Sequence, residues 1–382
     1  MDTYDAIVVG LGAHGSAAAA ELARRGLRVL GLERFGRGET YGSSGGRSRI
    51  IRLAHYESPA YGPLAGAAWD RWLALEREAP ADLLTVTGGL YAGPPGSPIV
   101  AGARATAAVH TLDHEVIDAA ELRRRWPAFT PADDTIALVE RQAGILRADR
   151  GNEAHLLVAE RSGATLTFGA RVVDWRPAAG GGFEVETDDG TLFGSSFLVL
   201  ATGPWTRDHV PDLELPLAVE RQPVCWFQPA VPSDDVAAGR FPVWLFDTPG
   251  EGIFYGFPLD PELGLKTAHH HSGEIVAAET VDREVRPADV ERIRAFVRAR
   301  MPAAGGPLTH STVCLYTNTP DDEFVIDRHP AAPGVAFASA CSGHGYKFAP
   351  IVGEILADLV MAGRTDWPIE AFRADRFATM PR

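Results

Sequence analysis

The chain has 382 residues, of which 46% are hydrophobic, and it carries a formal net charge of -14. This length predicts two domains, or one domain interleaved with another. The negative charge argues against nucleic acids and anionic membranes as partners, because both reward clusters of cationic side chains.

The sequence also lacks the usual signals for export and for metal binding. No stretch reaches the roughly 18 consecutive apolar residues of a membrane-spanning helix, and the first predicted strand begins within a few residues of Met1. Because this leaves no room for a signal peptide, we expect a cytoplasmic protein. The three cysteines, Cys225, Cys314 and Cys341, are too few and too widely spaced for a disulfide framework or a zinc cluster.

The N-terminal segment has the pattern of a dinucleotide-binding motif. A short apolar strand ends at Gly10, and Gly12, Gly15 and a helix of small residues follow. Gly10 permits a tight turn, Gly12 lets the backbone approach a pyrophosphate, and Gly15 lets the helix pack closely on the strand. A second strand ends at Glu33, whose carboxylate can accept hydrogen bonds from ribose hydroxyls. On this motif alone, an NAD dehydrogenase remains an alternative.

The next segments predict a loop around the cofactor and then a new domain. A glycine-rich loop over residues 35–47 leads to Arg49 and Arg52, which it can place near a cofactor. The spacing of apolar residues predicts a helix over 61–78. Short apolar runs broken by Gly and Pro over 84–99 predict strands with tight turns, and we place the first domain boundary there.

The remaining patterns alternate between sheet and helix and return at the end to the strand, glycine turn and helix of the N-terminus. The predicted elements are helices over 118–125, 151–161 and 287–301, strands over 164–168, 170–175, 196–205, 224–227, 242–246, 252–257 and 334–340, a hairpin over 183–192 and a last helix that ends at Met361.

We therefore predict an α/β fold in which a Rossmann-like nucleotide-binding domain is interleaved with an antiparallel-sheet substrate domain. The nucleotide-binding domain comprises residues 1–83, 146–214 and 322–382. The substrate domain comprises residues 84–145 and 215–321.

Five segments together resemble a known family. They are the glycine motif at Gly10, Ser48-Arg-Ile-Ile-Arg52, Ala201-Thr-Gly-Pro-Trp205, Thr312-Val-Cys-Leu-Tyr-Thr317 and Ser342-Gly-His-Gly-Tyr-Lys-Phe348. In this order over almost the full length, they resemble the monomeric sarcosine oxidase family, whose relatives include N-methyltryptophan oxidase and pipecolate oxidase. The resemblance implies FAD rather than NAD, a monomer, and a substrate domain that covers the reactive face of the flavin.

The resemblance also implies which residues hold FAD. The matching positions are Gly10, Gly12, Gly15, Glu33, Ser43, Ser48, Val172, Gly203, Cys314, Gly343, Gly345 and Lys347. Cys314 matches a cysteine that carries the flavin through a thioether to its 8α carbon, although its surroundings alone would suggest a buried structural thiol. We interpret Cys225 and Cys341 as packing residues.

The activity that the resemblance implies is oxidation of the carbon–nitrogen bond of a secondary amino acid. The imine product hydrolyses, and oxygen takes up the electrons and leaves as hydrogen peroxide. Arg52 and Lys347 match the cations that bind the substrate carboxylate. Tyr255 and His270 match polar groups that position the amine and favour its unprotonated form, since hydride transfer needs a free lone pair on nitrogen.

Three further residues complete the predicted site. Lys266 matches a lysine that favours the reaction with oxygen by stabilising developing negative charge, and it argues for an oxidase. Arg49 is a catalytic candidate, and Tyr316 is a candidate for substrate binding. We predict no metal at residues 269–271, because adjacent side chains on a strand face opposite ways.

Several alternatives stay open at this point. The chain departs from the family at Ser44-Gly45, where many relatives have two histidines, and at Arg47, which replaces a common acidic residue. Trp226, Trp244 and Leu245 could reshape the substrate pocket, so sarcosine itself is not assumed. A fructosyl amino acid oxidase and a dehydrogenase of the same fold are the competing enzymes, and a flavin-binding protein without turnover is a remote alternative.

Overall fold

The computed structural model describes residues 1–39 and 41–379. Thr40 of the predicted glycine-rich loop, and residues 380–382 of the last predicted domain segment, lie outside the described residues. Within them the strands are β1 (Asp2–Val9), β2 (Val29–Glu33), β3 (Ser48–Arg52), β4 (Leu84–Val86), β5 (Gly89–Gly93), β6 (His114–Asp118), β7 (Ile136–Glu140), β8 (Ala143–Arg147), β9 (Thr165–Phe168), β10 (Val172–Pro177), β11 (Phe183–Thr187), β12 (Leu192–Leu200), β13 (Ala218–Phe227), β14 (Val243–Thr248), β15 (Gly252–Gly256), β16 (Leu265–His270), β17 (Ile275–Val276), β18 (Leu308–Asn318), β19 (Val325–Arg328) and β20 (Val335–Ser339).

The α-helices of the described residues cover the first sheet or fill the spaces between strands. They are α1 (Ala13–Arg24), α2 (Gly62–Glu78), α3 (Pro98–Val109), α4 (Ala119–Arg125), α5 (Ala148–Arg161), α6 (Thr206–His209), α7 (Pro287–Arg300) and α8 (Ala349–Ala362).

The first sheet has the order β10-β11-β12-β1-β2-β9, and β20 joins it through β12. Strands β1, β2, β9, β12 and β20 pair in parallel, as expected for strands connected through helices that cover a sheet. Helix α1 packs against α5 and α8, and its alanine-rich face is buried. This sheet brings the N-terminal, middle and C-terminal parts of the chain into one layer.

The second sheet has the order β17-β13-β16-β15-β14-β5-β7-β6, with β18 on the other side of β13. All of its described pairs are antiparallel except that of β5 with β14. Its buried side chains form a core rich in aromatic residues, which includes Phe129, Trp244 and Phe296. The α/β fold with an interleaved, largely antiparallel second layer is therefore confirmed.

A small third sheet, β3-β8-β4, lies between the two layers. The predicted domain boundaries after residues 83 and 145 pass through this sheet, because β4 and β8 pair with each other while β8 also pairs with β3. We retain the division into two domains as a proposal.

The predicted helix over 61–78 is confirmed as α2, and the predicted hairpin is confirmed as β11 and β12. The prediction of strands throughout 84–99 was wrong at its end, because α3 begins at Pro98. Its buried residues Ile99, Val100, Ala103 and Ala107 have helical spacing, and proline suits the first turn of a helix.

Candidate functional site

A cavity of about 380 Å³ lies between the first and second sheets. One end is lined by the glycine turn after β1, and the other by side chains from the second sheet, including Tyr255, Lys266 and His270. The glycine-rich segments that precede β3 and α8 also line it. The cavity thus joins the predicted nucleotide site to the predicted catalytic residues.

The glycines of the N-terminal motif lie where side chains cannot fit. Gly10 has a φ of +86°, and an added Cβ there would lie 2.6 Å from the carbonyl oxygen of Ala201. A Cβ at Gly15 would lie 1.7 Å from the carbonyl oxygen of Gly10, so this glycine sets the close packing of α1 on the turn. Gly12 lines the cavity, which leaves backbone exposed to a phosphate group there.

Glu33 ends β2 beside the same turn. Its two carboxylate oxygens accept hydrogen bonds from the backbone N–H of Leu11 (2.8 Å) and of Phe35 (3.1 Å). Burial raises the pKa of Glu33, and the two backbone donors oppose that shift. The carboxylate lines the cavity and keeps lone pairs for further donors. This fits the adenosine ribose of a dinucleotide.

The other predicted cofactor positions fall into two groups. Those that line the cavity are Ser43, Val172, Gly203, Cys314, Gly343, Gly345 and Lys347. Gly15 and Ser48 are not among the lining residues, because Gly15 packs against the backbone of the turn and Ser48 faces Lys266. The length of the cavity, its glycine turn and its acid at β2 fit FAD.

Arg49 holds the loop that precedes β3. Its guanidinium donates to the carbonyl oxygens of Ser43 (2.9 Å), Gly45 and Ser48 (2.9 Å). The buried thiol of Cys314 lies 3.8 Å from the carbonyl oxygen of Gly45. Cys314 of β18, in the second sheet, therefore lies next to the loop that connects β2 of the first sheet to β3.

Lys266 projects from β16 against the same loop. Its amino group donates to the carbonyl oxygens of Gly46 (2.8 Å) and Ser48 (2.7 Å) and to the Ser48 hydroxyl (3.2 Å). It also lies 4.6 Å from the centre of the Phe257 ring. Burial, followed by the positive charge of Arg49, lowers the pKa of Lys266 to about 7.

His270, at the end of β16, lies with two tyrosines in the cavity wall. Its Nδ1 is 3.3 Å from the hydroxyl of Tyr316, and the hydroxyls of Tyr316 and Tyr255 are hydrogen-bonded. Burial lowers the pKa of His270 well below its ordinary value, while burial raises the pKa of both tyrosines. All three side chains are therefore neutral near pH 7.

Arg52, at the end of β3, is 3% exposed and forms an ion pair with Glu57. His55 Nδ1 lies 2.7 Å from the other carboxylate oxygen of Glu57. Burial alone would raise the pKa of Glu57, but the charge of Arg52 and the proximity of His55 lower it well below its ordinary value. This arrangement keeps the guanidinium fixed beside the cavity that it lines.

Lys347 lies in a single-turn 3₁₀ helix, Tyr346–Phe348, just before α8. Its amino group donates to the carbonyl oxygen of His344, and its own carbonyl accepts from the indole of Trp72 (2.7 Å). Burial, followed by the charge of Arg52, lowers the pKa of Lys347 well below its ordinary value. An anion in the cavity would reverse this shift, because it would favour the ammonium form.

Two residues of this region were not predicted from the sequence. They are Glu57 and His55, which follow Arg52 closely in the sequence. The only sequence signal for the ion pair of Arg52 with Glu57 is an acidic residue five positions after a buried arginine. A ring nitrogen of His344 comes within 4.8 Å of the polar atoms of His55 and Glu57. Because Glu57 is already paired with Arg52, this group acts as a polar network around the guanidinium.

The histidines at 269–271 only partly follow the expected alternation. His269 stacks on Phe254, with ring centres 4.2 Å apart, on the side of the strand away from the cavity. The prediction that adjacent side chains face opposite sides of the strand was wrong for His271. Its ring centre is 4.1 Å from that of His270. The strand ends at His270, and His271 has a φ of +50°, so strand geometry no longer applies there.

Cys341 and Leu245 lie in the cavity wall, whereas Cys225 and Trp244 lie in the core. Cys225 is fully buried in the second core, and the thiol of Cys341 accepts from the backbone N–H of Thr317 (3.4 Å). Leu245 lines the cavity, whereas Trp244 stacks on Phe296 in the core. In the described part of the chain, no helix combines the length and the apolar character needed to cross a lipid bilayer.

Comparisons with known proteins show the family to which the chain belongs. The sequence profile of FAD dependent oxidoreductases matches residues 5–359. The chain is 41% identical to a monomeric sarcosine oxidase from Streptomyces avermitilis, with 99% of each chain covered. It is 31% identical to an N-methyl-L-tryptophan oxidase from Salmonella dublin, with 98% of this chain and 99% of the relative covered.

A similar solved structure is that of a variant of NikD, an unusual amino acid oxidase essential for nikkomycin biosynthesis, in an open form. It superposes with a TM-score of 0.85 at 25% identity and covers 98% of this chain and 97% of its own.

Proposed function

Because the chain belongs to the family of FAD-dependent oxidoreductases, we propose that it oxidises the carbon–nitrogen bond of a secondary amino acid and passes the electrons to oxygen. The substrate class is N-methyl or cyclic amino acids. The relatives named sarcosine oxidase and N-methyl-L-tryptophan oxidase support this proposal. Bound FAD would accept a hydride equivalent from the substrate and then reduce oxygen to hydrogen peroxide.

The observation that carries the proposal is a shared cavity with two different polar walls. Arg52 and Lys347 contribute N–H donors to one part of it, and His270 and Tyr316 contribute neutral polar groups to another. A carboxylate bound by the arginine fork and the lysine would fix the substrate at one end. Its amine could then be oriented by the imidazole and the hydroxyl groups.

The site is also built to keep the substrate amine neutral. Burial in a low-dielectric cavity disfavours an ammonium group, and His270 is neutral because its pKa is well below the ordinary value. A neutral imidazole can accept a hydrogen bond from the amine N–H at a ring nitrogen. We assign this positioning of the amine to His270, and the hydrogen-bonded Tyr316 and Tyr255 keep its ring in place.

Apolar side chains around Tyr255 favour a small or cyclic nitrogen substituent over a sugar. Ile50, Val224, Leu245 and Phe257 all line the cavity, and they belong to hydrophobic clusters that pack against Tyr255. A fructosyl group brings several hydroxyls, and burying them without hydrogen-bond partners costs free energy. Because of these apolar side chains around Tyr255, we place a fructosyl amino acid oxidase second among the candidate functions.

The cofactor link and the electron acceptor are part of the same proposal. The buried thiol of Cys314 next to the Gly45 carbonyl supports a covalent attachment of the flavin there. Lys266 offers a cation near the loop at 46–48, where it would stabilise negative charge on reacting oxygen. This lysine supports an oxidase over a dehydrogenase of the same fold, and we propose a monomer.

The test is anaerobic mixing of the purified holoenzyme with sarcosine, N-methyltryptophan, pipecolate, proline, glycine and a fructosyl amino acid, one at a time. We expect sarcosine, N-methyltryptophan or pipecolate to bleach the visible absorbance of the flavin. Admission of air should then restore this absorbance, with release of hydrogen peroxide. Arg52→Met should raise the half-saturating substrate concentration, while Arg47→Met, at an exposed ion pair with Glu262, should not. Bleaching by the fructosyl compound alone, or by none, would refute the proposal.

A further inference from the structure

A buried polar cluster lies behind His270, outside the cavity lining. At its centre is Glu220 of β13, which is 4% exposed. Its carboxylate accepts from the side-chain amides of Gln222 (2.5 Å) and Asn318 (2.6 Å) and from the backbone N–H of Gly273 (2.6 Å). Glu220 therefore stays ionised: burial alone would raise its pKa, but His271, the backbone N–H of Gly273 and the amide of Asn318 lower it.

His271 supplies the charge that faces this carboxylate. Its Nδ1 lies 3.4 Å from Oε2 of Glu220, and a buried carboxylate is far less costly when a cation accompanies it. Burial alone would lower the pKa of His271, but the interaction with Glu220 raises it above the ordinary value. The imidazolium form of His271 is therefore favoured.

The same ring touches the proposed catalytic residues. Its centre is 4.1 Å from that of His270, in an edge-to-face arrangement, and 5.4 Å from that of Tyr316. A positive charge on this ring opposes a second positive charge on His270.

We propose that His271, held by Glu220, is a positioning residue that keeps His270 as a neutral imidazole hydrogen-bonded to Tyr316. This inference rests on the proposed function, in which neutral His270 accepts a hydrogen bond from the substrate amine. Neither His271 nor Glu220 lines the cavity, so both act through His270.

Other charged and titratable groups also face these two histidines, and they set the size of the effect. Around His270, Arg52 and His344 oppose protonation and Glu57 favours it, with Tyr255 and Tyr316 adjacent. Around His271, Glu220, Asp322 and Glu57 favour protonation. After burial itself, the charge of His271 is the largest contribution that disfavours a protonated His270.

The test is an NMR titration of the holoenzyme with isotope-labelled histidine, compared with three variants. His271→Asn removes the charge and suits the left-handed backbone of this position, while His271→Lys keeps a charge. His269→Gln is the matched control, because its ring stacks on Phe254 away from His270. Between about pH 5 and 8, we expect His270 to stay neutral in the wild type, the lysine variant and the control.

In His271→Asn, we expect the His270 titration to move up by about one pH unit, and the acid limb of kcat/KM to move with it. Glu220→Gln should move the His270 titration in the same direction but by less. This substitution removes the carboxylate charge together with the imidazolium charge that the carboxylate favours on His271. An unchanged His270 titration in folded His271→Asn, or an equal shift in His271→Lys, would overturn the inference. The NMR readout needs no turnover, so a failed substrate panel would refute the proposed function separately.

Discussion

Lys266 has three oxygen acceptors around its amino group and a pKa lowered to about 7. The cation that the proposed oxygen reaction requires is therefore present below about pH 7 and lost above it. We expect Lys266→Met to bleach normally with substrate but to recover its visible absorbance in air about 100-fold more slowly, as for loss of one preorganised donor.

The pH dependence supplies the control for this prediction. In the wild type, the rate of recovery in air should fall as pH rises through about 7, whereas in Lys266→Met it should not depend on this titration. Stopped-flow measurement of the two half-reactions separates them. Equal loss of both half-reactions would remove the role that we assign to Lys266.

Lys347 links carboxylate binding to proton uptake. Burial, followed by the charge of Arg52, holds its pKa well below the ordinary value, and a bound carboxylate raises it. We expect up to one proton to be taken up when a carboxylate without an amine, such as propionate, binds near pH 7. Calorimetry in two buffers of different ionisation enthalpy measures the uptake. The proton uptake should vanish in Lys347→Met. If it persisted in that variant, the proton would belong to another group.

The residues of the site differ in how far the sequence predicted them. Lys347 stands in one of the five segments that resemble a known family, and Lys266 and His270 match single positions of that family, so all three could be predicted. Glu220 and His271 belong to segments about fifty residues apart, and only the antiparallel pairing of β13 with β16 and β17 brings these segments together. Such pairs depend on register between distant strands, which local patterns do not determine.

Helices α1 and α8 approach each other closely enough to require glycine at one contact. A Cβ at Gly353 of α8 would lie 2.6 Å from the carbonyl carbon of Ala17 in α1. Gly66 of α2 offers a matched position, because an added Cβ there meets no atom within 4 Å. The alanines of α1 were predicted to suit close packing, but the partner helix was not predicted.

We expect Gly353→Ala to destabilise the protein by about 1–3 kcal/mol, since the clash involves backbone atoms. Gly66→Ala should stabilise it by about 0.5–1 kcal/mol, because alanine loses less conformational entropy in a helix. The midpoint of denaturant unfolding of the holoenzyme measures both changes. A Gly353→Ala variant as stable as the wild type would show that the two helices can move apart without cost.

At the scale of the whole molecule, the cavity separates two sheets that contribute different functions. The first sheet supports the glycine turn and Glu33, and the second sheet carries Cys314, Lys266 and His270. A flavin bound on the first sheet and attached to Cys314 would be a covalent bridge between them.

We expect acid precipitation of the wild type to leave the yellow colour with the protein. Cys314→Ala should release the flavin into the supernatant, whereas Cys225→Ala, at a thiol buried in the second core away from the cavity, should not. Absorbance of the two fractions measures this. Release of flavin from the wild type would refute the covalent link.

The strand order of the first sheet also determines when this protein can complete its fold during synthesis. Strand β1 lies between β2 and β12, and β12 in turn pairs with β20 near the C-terminus. At about 5–20 residues per second, the ribosome needs roughly 7–27 s to make the chain between the end of β12 and the start of β20. During that time the edge of β12 at Leu198, Val199 and Leu200 lacks the strand with which it pairs in the folded protein, which exposes the nascent chain to aggregation. Coexpression with chaperones that protect such edges should therefore improve the yield of folded protein more than any change at the site itself.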